Sequence, residues 1–145
     1  MIEALYTREV LRLAAAAPSC GHLEAPDVAV TKTSRICGSR ITIEVRFRNG
    51  KVSEYAQTIR ACALGQASAT IVARHIIGKT LEDIAPVAEA VGKLLREAGP
   101  PPGGEWADFK VFIPARRHKS RHSAILLPFE ALHEAFSCVE KKSAR

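Results

Sequence analysis

The chain has 145 residues, 47% of them apolar, which suits a single domain (1–145) able to bury a core without disulfide support. A formal net charge of +6 raises the question of a polyanion partner, but the basic run Arg116–His122 lacks stacking aromatics and any helix-turn-helix pattern, so a solvated loop is expected and nucleic-acid binding is not. No apolar run is long enough to span a bilayer, and four cysteines at this length do not compel a disulfide framework, so a reducing cytoplasm is the expected setting.

At the start, Leu11 to Ala17 is apolar and alanine-rich, but Arg12 interrupts it and Glu3 precedes it. Tyr6, Val10, Leu13 and Ala17 recur at helical spacing, which predicts an amphipathic opening helix rather than a cleaved leader. Pro18 to Pro26 reads as a loop leading to a short strand around Val28–Val30. Ile41, Ile43, Val45 and Phe47 then alternate with polar residues, the signature of a strand with one buried face. Asn49-Gly50 favours the positive φ angles of a type I′ turn, so Lys51 to Ile59 should return antiparallel to Arg40 to Phe47.

From Cys62 the period becomes helical, with Leu64, Ala67, Ile71 and His75 on one side and Gly78 suited to the C-terminal end. Thr80 starts another helix with Asp83 three residues on, and Ile84, Ala88, Val91 and Leu95 form its apolar stripe. Pro86 falls in the first turns. Gly99 to Gly104 must be a loop, bringing Trp106 and Phe109 back against the domain; an extended piece is expected over Phe109 to Ile113. A last helix is predicted near Pro128, burying Phe129, Leu132, Phe136 and Val139.

The chemistry-bearing residues cluster around the predicted hairpin. Cys37 precedes its first strand and Cys62 follows its second, so both thiols belong to the open end, where soft ligands could meet despite their separation in sequence. Cys62 should stand at a helix N-terminus, whose free N–H groups and positive dipole end favour a thiolate. Gly38 beside Cys37 permits a sharp turn. Arg35, Arg40, Arg60 and Arg121 flank these positions and could lower thiol pKa values or hold an anion. Cys138, His75 and His133 have no metal-ligand spacing and read as packing residues, and His118 as a solvated member of the basic run.

Cys37-Gly38, the hairpin, and Cys62-Ala63-Leu64-Gly65-Gln66-Ala67-Ser68 together resemble the iron-sulfur cluster assembly scaffold family of IscU, SufU and the NifU N-terminal domain. Pro18-Ser19-Cys20-Gly21-His22-Leu23-Glu24-Ala25-Pro26-Asp27 and Gly78-Lys79-Thr80-Leu81-Glu82-Asp83 are similar to two further blocks of that family, in the same order. The resemblance implies an α+β fold, a small antiparallel sheet of about three strands with helices packed on one face. It implies a carrier rather than an enzyme, holding a transient Fe-S cluster or zinc, with a cysteine desulfurase and Fe-S acceptor proteins as partners.

Two positions depart from the family. Its acidic residue after Cys-Gly is Ser39 here, and its third cysteine falls where this chain has Arg121-His122-Ser123. The expected ligands are therefore Cys37, Cys62 and His122, the imidazole standing in for a thiolate, with Cys20, Ser39 and Ser123 as possible additional groups. The long stretch between Cys62 and this segment resembles the SufU branch. Three readings remain open: a cluster scaffold, an interaction or regulatory module of the same fold that no longer binds a stable cluster, and a zinc-dependent sulfur acceptor.

Overall fold

In the computed structural model, which describes residues 5–16 and 21–143, Asn49 and Gly50 both adopt positive φ, 54° and 77°. This is the backbone a type I′ turn demands, and it folds β2 (Arg40–Arg48) onto β3 (Lys51–Arg60). β1 (Val28–Thr33) pairs antiparallel with the other edge of β2, giving a three-stranded sheet in the order β1-β2-β3. Val30, Ile41, Ile43, Val45 and Val52 are buried, whereas Thr31 and Thr42 meet across the exposed face at 2.8 Å. One face of the sheet is thus left to water and the other carries the helices.

Two helices cover the buried face. α2 (Ala63–His75) packs on β3, and α4 (His122–Ser143) packs on β1 and β2. They also pack on each other, and their contact is polar as well as apolar: the Ser68 hydroxyl donates to the Ile125 carbonyl at 2.6 Å in a fully buried setting. Gly65 makes this approach possible. A Cβ there would lie 2.7 Å from the Ala61 Cβ and 3.4 Å from Ala124, so the start of α2 accepts no larger residue without displacement. α1 (Arg8–Ala15), capped by the Thr7 hydroxyl, buries Val10 and Leu13 and receives a 2.8 Å hydrogen bond from Thr70 of α2 at the Leu13 carbonyl. Ala17, expected on the same apolar stripe, lies outside the described residues.

α3 (Leu81–Arg96) opens with the expected capping box between Thr80 and Asp83 and buries Ile84, Val87, Val91, Leu94 and Leu95. The expectation of an extended piece over Phe109 to Ile113 does not hold: successive 3-10 turns run over Gly104–Arg117. The reason is the spacing of the buried residues. Trp106, Phe109, Phe112 and Ala115 recur every third position, which matches three residues per turn and puts all four on the core side. α4 also begins earlier than Pro128. The consecutive buried residues Ala124, Ile125, Leu126 and Leu127 extend it upstream, and Pro128 sits inside the helix rather than at its first turn. Burial of that run, at roughly 1.5–3 kcal/mol per large apolar side chain, outweighs the one backbone hydrogen bond that proline forfeits.

Candidate thiol site at the open end of the sheet

The last pair of the β1–β2 ladder is Thr33 with Arg40, so Ser34 to Ser39 must turn the chain within six residues. Two backbone hydrogen bonds close the turn, Gly38 N–H to Ser34 carbonyl and Ser34 N–H to Ser39 carbonyl, each 2.8 Å. Gly38 has φ 73°, a conformation costly to any residue with a Cβ. Cys37 is carried by this turn. Across the sheet Arg40 pairs with Arg60, so Cys62, two residues past β3, stands at the same end of the sheet.

Three hydroxyls surround the Cys37 thiol. It donates to Ser39 Oγ at 3.1 Å, and Ser123 Oγ, near the start of α4, lies 3.9 Å from the sulfur. Ser123 in turn is 2.7 Å from Ser34 Oγ, so the first turn of α4 is tied directly to the end of β1. Ser34 and Ser39 are both buried. Burial pushes the Cys37 thiol up, but hydrogen bonds from Ser34, from the hydroxyl and backbone of Ser39 and from Ser123 together outweigh it, bringing the pKa down to about 7. A substantial fraction is therefore thiolate at neutral pH, the form that attacks sulfur and binds soft metals.

Cys62 is the N-cap residue of α2, half-buried, with extended backbone and no capping bond from its side chain; its carbonyl accepts from Gln66 N–H at 3.0 Å. His122 is buried, and its Nε2 donates to the Ala115 carbonyl at 2.8 Å. That bond places a proton on Nε2, so any ligation by this side chain would have to use Nδ1. It joins the end of the 3-10 turns to the head of α4, while the neighbouring Ser123 is the residue that meets Cys37. Cys20 lies outside the described residues. Among the described residues, no three His, Cys, Asp or Glu side chains come together as a metal-holding group. Ser34 was not marked by any sequence motif; the only signal was its register, mirroring Ser39 across the β1–β2 turn. The cysteines among the described residues are all free thiols, and Cys138 is half-buried on α4.

A three-stranded antiparallel sheet, helices on one face, and two cysteines at its open end define an α+β domain of the NifU type. Residues 5–103 match the NifU-like N terminal domain family, and the chain belongs to that family. Among solved structures, the N-terminal part of a nitrogen-fixing NifU-like protein from Brucella abortus is 38% identical, with a TM-score of 0.92 over 97% of this chain and 98% of that one. A structure described as an iron-sulfur cluster assembly scaffold protein for the SUF system, from Fervidobacterium islandicum, shares the fold with a TM-score of 0.81 at 19% identity over 91% of this chain and 96% of that one. The iron-sulfur cluster assembly scaffold protein IscU of Thermotoga maritima is 23% identical over 137 residues, 94% of this chain and 96% of its own length. No helix among the described residues is long and apolar enough to cross a membrane.

Proposed function

We propose that this protein acts in iron-sulfur cluster assembly as a scaffold or carrier, with Cys37 as its principal sulfur-accepting and metal-binding group and Cys62 as the second thiolate. The observation that carries this reading is the Cys37 thiol held near neutral pKa by three hydroxyls, at the same end of the sheet as Cys62. Sulfur and iron are cargo here, and the protein is a carrier rather than an enzyme. A cysteine desulfurase supplies sulfur as a persulfide: the Cys37 thiolate attacks the outer sulfur, the desulfurase thiolate leaves, and Cys37 is left bearing the persulfide. Acceptor proteins then take the cargo on.

Ser39 stands where the resemblance puts a carboxylate and Ser123 lies in the segment where it puts a third thiolate, and both donate or accept hydrogen bonds rather than ligate a soft metal. This favours a second reading within the same pathway, a carrier that takes up sulfur without retaining a stable cluster. Among the described residues Cys37, Cys62 and His122 are the donors this reading offers to a metal, and a closed tetrahedral site would need a fourth. His122 remains a proposed donor only through Nδ1, because Nε2 is engaged.

Anaerobic incubation with a cysteine desulfurase, cysteine and ferrous iron tests both readings. A scaffold gains iron, sulfide and visible absorption that disappear in Cys37→Ser/Cys62→Ser. A sulfur carrier gains one persulfide on Cys37, read by mass, with no chromophore. Equal uptake of sulfur and iron by the double variant and the parent would sink both.

A further inference from the structure

Next to Cys37 lies a cavity of about 420 Å³, within the range of pockets that hold small molecules. Ile36, the chain neighbour of Cys37 and 71% exposed, and Ser123, which meets its sulfur, are both among the lining residues. Leu95 and Leu126 supply apolar surface. The charged lining is unbalanced: Arg96, Arg116 and Lys119 against Glu130 alone.

The three cations differ in how they are held. Arg116 is half-buried and fixed by neutral partners, its Nε donating to the Leu94 carbonyl at 2.8 Å and one terminal nitrogen to the Gly99 carbonyl at 2.6 Å. Arg96 and Lys119 are exposed, and none of the three forms an ion pair among the described residues. A guanidinium pinned by carbonyls keeps donors for an incoming carboxylate and has little freedom to lose on binding it.

From this juxtaposition we propose that the cavity is a subsite for a low-molecular-weight thiol bearing carboxylates, and that Cys37 exchanges with the disulfide of such a thiol. The Cys37 thiolate attacks one sulfur of the small disulfide; the S–S bond breaks, the other half leaves as a thiolate, and Cys37 ends in a mixed disulfide. The bonding pair of the broken S–S bond leaves on the departing thiolate while a lone pair of Cys37 makes the new bond, so the small disulfide is itself the oxidant. The anionic half retained on Cys37 occupies the cavity beside Arg96, Arg116 and Lys119. The inference requires only a reactive Cys37 beside a cationic pocket and stands whether or not a cluster is ever assembled there.

The test compares three disulfides on the purified protein: oxidised glutathione, neutral hydroxyethyl disulfide and cationic cystamine. Mixed-disulfide formation at Cys37 is followed by mass with peptide mapping, each rate normalised to that of a free model thiol. Glutathione disulfide should lead, cystamine should trail, and Arg96→Gln/Lys119→Gln should cut the glutathione preference by about three- to tenfold while leaving the hydroxyethyl disulfide rate unchanged. Added salt should erode the same preference. Equal normalised rates for the three reagents, or a preference undiminished in the Gln variant, would overturn the subsite; a uniform loss of rate with all three would assign the effect to the thiol and overturn it as well.

Discussion

Removing the Ser39 hydroxyl should slow Cys37 alkylation at neutral pH while leaving it unchanged at high pH. The 3.1 Å contact becomes a charge-assisted hydrogen bond when the sulfur ionises, and such bonds are worth about 1.5–3 kcal/mol, less where solvent reaches the pair. Cys37 is half-buried, so the lower end applies, and Ser39→Ala should raise its pKa by about one from its present value of about 7. At pH 7 the thiolate fraction then falls from about half to about a tenth, a roughly fivefold loss of rate. The assay is iodoacetamide labelling between pH 5.5 and 10, with Cys37, Cys62 and Cys138 separated by peptide mapping, the latter two serving as references. A folded Ser39→Ala protein whose Cys37 profile keeps its midpoint would show that the hydroxyl cradle does not set the thiol's ionisation.

Gly65→Ala should destabilise the fold by about 1–3 kcal/mol, because its Cβ meets that of Ala61 at 2.7 Å, and thermal unfolding should show partial recovery in Ala61→Gly/Gly65→Ala. Ser123→Cys should place a third thiol beside Cys37 and raise the iron retained after anaerobic reconstitution, measured by metal analysis; no increase would remove Ser123 as the position equivalent to the missing ligand. His122→Ala should cost about 2 kcal/mol of stability through the lost bond to Ala115, seen in denaturant unfolding, yet leave the Cys37 alkylation midpoint in place, since the imidazole is not among the partners that set it.

Much of the architecture could be read from local patterns. Asn49-Gly50 set the hairpin, alternation from Ile41 to Phe47 set its buried face, and Thr80 with Asp83 marked the start of α3. What escaped were elements whose cause is packing. The three-residue spacing of Trp106, Phe109, Phe112 and Ala115 is a periodicity, but of a kind seldom sustained for so long, and an extended segment is the commoner answer for a short aromatic run. Pro128 misled because proline favours a first turn, while the buried run before it governs where α4 begins. At the site, the sequence brought Cys37 and Cys62 to one end of the sheet through the hairpin. It could not show that Ser34 and Ser123 touch, because that contact depends on how α4 crosses β1.

The contact between Ser34 and Ser123 joins positions 89 residues apart, and the one between Cys37 and Ser123 spans 86. On a ribosome, the cysteine emerges long before the serine that completes its surroundings. Until α4 has been synthesised and docked, Cys37 lacks that hydroxyl neighbour and part of the shielding around its turn, and behaves more like an ordinary unstructured thiol. Docking of α4 therefore adds the last of the hydroxyls around this side chain after its own turn has supplied the others, and its labelling rate at neutral pH should rise further once α4 is in place.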